Sequence, residues 1–113
     1  MIRYRVVGSA ELQGFLSHFP PSVKRKVHAS LRFIEENPLA GKPLERELTG
    51  YRSFPIPPYR VVYRVEPASR IVRIARIGHR DDIYEILIEK INSGEVREKK
   101  AVYVYKRSVS AVS

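Results

Sequence analysis

Tyr51-Arg-Ser-Phe54, Tyr59-Arg-Val-Val-Tyr-Arg-Val65 and Ile74-Ala-Arg-Ile-Gly-His-Arg-Asp-Asp-Ile-Tyr84 are the runs that decide how this chain folds. Tyr59 to Glu66 and Arg70 to Ile77 read as two strands around Pro67-Ala68-Ser69, a hairpin signal. Tyr51 to Phe54 reads as a shorter strand stopped by Pro55, Pro57 and Pro58, because proline cannot donate to a ladder. Positions 52 to 80 hold seven arginines (Arg52, Arg60, Arg64, Arg70, Arg73, Arg76 and Arg80), no lysine and one acid, Glu66. Like charges facing each other across a sheet destabilise it. A guanidinium can hold a phosphate bidentately and stack on a base. So dense a set of arginines on strands therefore predicts a polyanionic partner that relieves the repulsion.

Working outward, a helix is expected from Asp81 to Asn92, with Ile83, Leu87, Ile88 and Ile91 as its apolar stripe and Ser93-Gly94 as its stop. Asp81-Asp82 read as favouring the N-terminus of that helix through its dipole rather than as a metal pair. Upstream, residues 38 to 50 read as a loop pinned by Leu39, Leu44 and Leu48. Val23, Val27, Leu31 and Ile34 mark the buried face of a helix that Pro20-Pro21 starts and Asn37-Pro38 ends. Leu12, Phe15, Leu16 and Phe19 mark a shorter helix before it, with Ser9 as N-cap. Ile2, Tyr4 and Val6 alternate with Arg3 and Arg5 as a first strand. The two helices, joined by a short link, predict an antiparallel hairpin.

The order is strand, helix, helix, strand, strand, strand, helix, an α+β chain. It forms one domain over residues 1 to 94, followed by a charged extension over 95 to 113. Within that extension Ala101 to Lys106 alternates well enough to add an edge strand.

With 113 residues the chain has room for a single modest core. Its net charge of +9 and pI near 10.1 point to nucleic acid, an anionic membrane surface or an acidic protein. The lack of cysteine excludes a disulfide framework, a thiolate zinc site and a cysteine nucleophile. No pair of histidines has metal-ligand spacing, so neither metal nor other cofactor is expected. No apolar run is long enough for a signal peptide or a membrane helix, which predicts a cytosolic protein.

Gly50-Tyr51-Arg52, the Tyr59 to Tyr63 run and Gly78 to Tyr84, in this order and spacing, resemble the RelE/ParE superfamily of type II toxins over about residues 1 to 92. The resemblance implies a small twisted antiparallel sheet with the helical hairpin on one face, and an acidic antitoxin that wraps the toxin. It further implies either ribosome-dependent cleavage of mRNA, the RelE activity, or inhibition of DNA gyrase, the ParE activity; a third reading is an attenuated toxin that only binds its antitoxin. The segment from Gly78 to Tyr84 favours the first. By resemblance, Arg60 contacts the scissile phosphate and Arg80 stabilises transition-state or leaving-group charge. Tyr84 stacks on a base or orients the attacking hydroxyl. Arg52 takes the place of the first of two lysines on the preceding strand, and Phe54 that of the second.

The chemistry of such a site can be weighed on the residues themselves. Metal-free RNA cleavage needs a proton removed from the 2′-hydroxyl, charge balanced on the phosphorane and a proton given to the 5′-oxygen. Arg52, Arg60 and Arg80 supply charge, while Tyr84 or His79 has to handle protons, since arginine remains protonated. Arg64, Arg73 and Arg76 are the further candidates for RNA contact. Strand alternation puts Arg60, Val62 and Arg64 on one face and Tyr59, Val61, Tyr63 and Val65 on the other, with Arg70 and Arg76 sharing a face and Arg73 opposite. Tyr59 and Tyr63 read as core residues. The Ala101 to Lys106 run reads equally as a plain edge strand or as a surface that the antitoxin augments.

Overall fold

The computed structural model describes residues 3–94 and 101–103. Six strands and three helices alternate along it: β1 (Arg5–Ser9), α1 (Ala10–Leu16), α2 (Pro21–Glu36), β2 (Lys42–Pro43), β3 (Arg52–Ile56), β4 (Tyr59–Glu66), β5 (Ile71–His79), α3 (Ile83–Asn92) and β6 (Ala101–Tyr103), with 3-10 turns at Pro38–Ala40 and Arg46–Leu48. One sheet takes all six strands in the order β2-β3-β4-β5-β1-β6. The α+β class and the rough element order follow the sequence reading, except that the 38–50 segment, expected as a loop, also supplies the two-residue strand β2; β6 is the added edge strand, paired antiparallel with β1. Residues 95–100, the charged linker, and 104–106, the rest of the expected edge strand, lie outside the described residues.

The expected all-antiparallel sheet is corrected in one place. β1 lies parallel to β5, with Val6 across from Val72, so the sheet is mixed. A parallel neighbour requires a long crossover, and the α1–α2 hairpin lies within the connection that supplies it. β3 also runs further than expected, through Pro55 to Ile56, with Pro55 across from Arg60. Its other neighbour, β2, pairs only at Arg52 and Ser53, so Pro55 falls where no second strand asks for its missing N–H.

Layers form on both faces because β4 alternates between them. Val61 and Tyr63 join Val6, Val72, Ile74 and Ile77 beneath Leu12, Leu16, Val27, Leu31 and Ile34 of the helical hairpin. Val62, between them in sequence, faces the opposite way, against Leu48, Ile83 and Leu87. The third helix therefore covers the face away from the hairpin. The Ser9 cap is present, its hydroxyl accepting from the Leu12 N–H at 3.1 Å. Phe15, expected on the buried face of α1, is exposed and meets Phe19 edge-on at a ring separation of 5.2 Å. Leu39 is exposed as well, so of the leucines in the 38–50 segment it is Leu48 that anchors the core.

Tyr63 is the largest of the fully buried side chains, and burial pushes its phenol above the ordinary tyrosine range. Its hydroxyl donates to the Pro38 carbonyl at 2.7 Å and accepts the Gly41 N–H at 2.8 Å, pinning the 38–50 segment to the sheet. A methyl group at Gly41 would lie 2.6 Å from that oxygen. Tyr63→Phe strands a buried N–H and a carbonyl, and Gly41→Ala overpacks the same contact; each is expected to cost ~1–3 kcal/mol. Urea titrations should show an earlier midpoint with an unchanged slope in both variants.

Candidate functional site

At one end of the sheet, on the α3 face, three side chains from separate elements form a continuous hydrogen-bonded chain. Arg60 of β4 donates through Nε to Ser53 Oγ of β3 at 2.6 Å. Ser53 Oγ lies 2.8 Å from the Tyr84 hydroxyl of α3. Strand alternation dictates the arrangement, because Ser53 pairs with Val62, whose side chain packs under α3, and Arg60 lies two residues from Val62 on the same face. Tyr84 is delivered by its neighbours, since Ile83 and Leu87 are wholly buried and leave it one orientation over β3 and β4.

A pocket of about 340 Å3 opens beside this chain, lined by Lys42, Leu44, Glu45, Leu48, Arg60 and Tyr84. It offers two cations, one carboxylate and a phenol around an apolar floor. Those groups suit an anion flanked by a flat ring: the cations balance charge, and the carboxylate and phenol can accept or donate a proton. Among the described residues no cluster of three or more metal-ligating side chains occurs.

The other sequence candidates are distributed differently. Arg80 belongs to the same end of the molecule: Gly78, two residues before it, lies across from Arg60, and the Arg80 N–H donates to the Pro58 carbonyl at 3.1 Å. Its side chain is 69% exposed, with Asp81 at 3.8 Å, which leaves it free to swing toward a ligand. Arg52 is not in the site. It lies across from Tyr63 on the hairpin face, and its guanidinium donates to the carbonyls of Gly41 and Leu39 at 2.7 and 3.1 Å. Phe54 shares that face and packs on Phe33 at 5.7 Å. The position of β3 that looks into the site is Ser53, between the two that the resemblance singled out.

His79 is likewise on the hairpin side, across from Tyr59 and edge-on to its ring at 6.2 Å. Its Nδ1 sits 3.4 Å from an Asp81 carboxylate oxygen. Tyr59 stacks on Phe19 at 5.1 Å, as a core-side residue would. Asp82 stands at the N-cap of α3 without a side-chain hydrogen bond, and Asp81 beside it faces His79 and Arg80.

The remaining arginines need one correction. β5 carries an extra residue, Ala75, between the partners of Val62 and Tyr63, so Arg76 pairs with Val62 and Arg73 with Arg64. The bulge brings Arg73 and Arg76 to the same face, where alternation alone had separated them. Arg73 and Arg64 both donate to Glu66, at 2.7 and 3.2 Å, and are partly neutralised by that single carboxylate. Arg76 lies diagonal to Arg60, its Nε buried without a hydrogen-bond partner among the described residues. Arg70 is exposed in the turn, with a left-handed backbone at φ 56°.

Lys42, Glu45 and Ser53 were not anticipated from the sequence. The first two come from an irregular segment in which no periodicity assigns a face. Ser53 did leave a signal, since apolar Phe54 and Ile56 alternate with it.

Comparison with known proteins agrees with the fold. Residues 10–84 match the model of the family described as ParE toxin of the type II toxin–antitoxin system parDE. Toxin RelG of Mycobacterium tuberculosis is 44% identical over 52 residues, 45% of this chain; the match spans 60% of that relative's length. A chain of the RelBE2 toxin–antitoxin complex from M. tuberculosis superposes with a TM-score of 0.62 at 32% identity, over 70% of this chain and all of that one. Free E. coli RelE, at 13% identity, shares the fold with a TM-score of 0.65 over 85% of this chain and all of its own.

The Arg73 hydrogen bond, with Arg64 adding to it, holds the Glu66 carboxyl below the ordinary carboxylate range. A folded value depressed in this way adds stability above the unfolded value and loses it as pH falls through the folded one. Glu66→Gln is therefore expected to destabilise the protein at neutral pH. The gap to wild type should close progressively in acid, as the wild-type carboxyl protonates, when thermal midpoints are followed downward in pH.

Proposed function

We propose, from the premise that this chain belongs to the RelE/ParE superfamily of toxins from type II toxin–antitoxin systems, that it is a metal-independent endoribonuclease acting on mRNA in the ribosome. The observation that carries this reading is Arg60 joined through Ser53 to Tyr84 at the wall of a pocket that also holds Lys42 and Glu45. In this reading Arg60 and Lys42 balance charge on the phosphorane, and Arg80 reaches the same phosphate from the adjacent turn. Tyr84 and Glu45 are the pocket groups able to move protons, a task that His79 on the other face does not share. Arg76 and the partly neutralised Arg64 and Arg73 extend a basic track along the same face. Holding the mRNA in register supplies much of the rate, as positioning does for any pair of reacting groups.

The partner that restrains this activity is an acidic antitoxin. Support comes from the net charge of +9 and from the match to a chain of a toxin–antitoxin complex. The Ala101 to Lys106 run, whose first three residues form β6, is where that partner would add a strand.

Arg60→Ala is expected to lower cleavage by about 10²–10³-fold, the usual loss when one charge-stabilising donor is removed. Arg52→Ala should leave cleavage close to wild type and reduce stability instead. Mapping of mRNA 5′ ends after controlled induction reads both, and toxicity that survives Arg60→Ala with Arg80→Ala removes the nuclease reading. Ribosome or RNA binding should fall with salt at a log–log slope of about −0.7 for each phosphate neutralised.

A second reading rests on the family description itself, which is that of ParE toxins. A gyrase inhibitor would block DNA supercoiling in a purified assay and induce the SOS response while translation continues. The polar, charge-bearing pocket favours the nuclease.

A further inference from the structure

The direction of the hydrogen bonds in the Arg60–Ser53–Tyr84 chain follows from simple counting. A guanidinium has donors and no acceptor, so Arg60 Nε donates and Ser53 Oγ accepts. Ser53 is 1% exposed, so water does not take its hydroxyl proton. Among the described residues Ser53 Oγ has two partners, Arg60 and Tyr84. If Tyr84 donated to Ser53, the serine proton would be left buried and unpaired, which costs about 1–3 kcal/mol. The satisfied arrangement has Ser53 donating to Tyr84. The tyrosine hydroxyl then accepts inside the protein and keeps its own proton for the pocket that it lines.

We infer that Ser53 is a positioning residue that polarises Tyr84 and makes it the general acid of the cleavage, a role that rests on the nuclease reading above. The 2′-oxygen bonds to phosphorus as the bond from phosphorus to the 5′-oxygen breaks. The 2′-hydroxyl proton passes to the Glu45 carboxylate and the Tyr84 proton passes to the departing 5′-oxygen. The products are a 2′,3′-cyclic phosphate and a 5′-hydroxyl. The phenolate left behind is held by the Ser53 hydroxyl, itself polarised by the Arg60 charge, until water returns a proton from Glu45. Tyr84 cannot be the base in this arrangement, because its proton is in place before reaction and its inward lone pair is occupied.

The test uses two mRNA substrates in programmed ribosomes, one ordinary and one with sulfur replacing the 5′-oxygen at the cleaved linkage. A thiolate leaves without a proton, so it bypasses a general acid. On the ordinary substrate Tyr84→Phe is expected to lose about 100-fold and Ser53→Ala about 10-fold in kcat, with KM nearly unchanged. Ser53→Thr, which keeps the hydroxyl, should recover most of that loss. On the sulfur-containing substrate the defects of Tyr84→Phe and Ser53→Ala should nearly vanish. Equal defects on both substrates, or wild-type kcat in Ser53→Ala, overturn the assignment. Neutron diffraction from deuterium-exchanged crystals of the free protein decides the hydrogen-bond direction without any activity. A deuteron lying from Tyr84 onto Ser53 Oγ refutes the inference by itself. Failure of the wild-type chain to cut either substrate, with the deuteron on Ser53 aimed at Tyr84, would instead sink the nuclease reading and with it the catalytic role.

Discussion

Strand β4 is covered on both faces, and a strand has only two faces to give. Tyr59, Val61, Tyr63 and Val65 are committed to the helical hairpin, so Arg60, Val62, Arg64 and Glu66 must look toward α3. Val62 is the apolar anchor of that second set, with an arginine two residues to either side. The arginine nearer the open end of the sheet meets Ser53 and Tyr84 and becomes a wall of the pocket. The other meets Glu66 and is held as part of an ion pair. Two chemically identical side chains on one strand thus acquire different uses from their distance to the end of the sheet.

The same geometry explains how a sheet tolerates seven arginines in 29 consecutive positions. Each is given its own surroundings, and none faces an unscreened neighbour in the sheet interior. Arg64 and Arg73, which are direct cross-strand partners and would repel each other, share the single acid of the region. Arg52 spends its donors on two backbone carbonyls of the 38–50 segment, doing the structural work of a cross-brace. Arg70 and Arg80 stand in water. Arg76 is the exception: among the described residues its buried Nε has no partner, a cost of about 1–3 kcal/mol. It lies diagonal to Arg60, so two guanidinium side chains stand close together on the α3 face.

Helical periodicity made much of the architecture readable in advance. Val27, Leu31 and Ile34 fall on one face of α2 at spacings that leave no alternative, and Ser9 announces α1 by its chemistry as an N-cap. The Pro67-Ala68-Ser69 turn fixes the β4–β5 hairpin. What could not be read lies where one residue changes parity. The bulge at Ala75 has no marker such as glycine, yet it moves Arg73 to the other face. The passage of β3 through Pro55 depends on how short β2 is, which is a tertiary fact. Lys42 and Glu45 reach the pocket from a segment whose course is set by Tyr63 bonding to Pro38 and Gly41, residues distant in sequence.

The candidate site shows the same limit more sharply, because a family motif was read there by residue type when facing was what mattered. Arg52 has the right charge and Phe54 the right spacing, but both belong to the hairpin face, so the absence of lysine at 54 says nothing about the pocket. Ser53, uncharged and one step over, is the β3 residue that touches Arg60 and Tyr84. A hydroxyl in that place cannot supply charge, and it can pass polarisation from a cation to a phenol. The pocket therefore takes its cations from Arg60 and from Lys42, which another strand delivers, and its phenol from Tyr84, whose position depends on Ile83 and Leu87 staying buried. Docking of α3 against Val62 and Leu48 is then the step on which assembly of the site turns: without it Arg60 would still stand on its strand, and Ser53 would lack the Tyr84 hydroxyl as a hydrogen-bond partner.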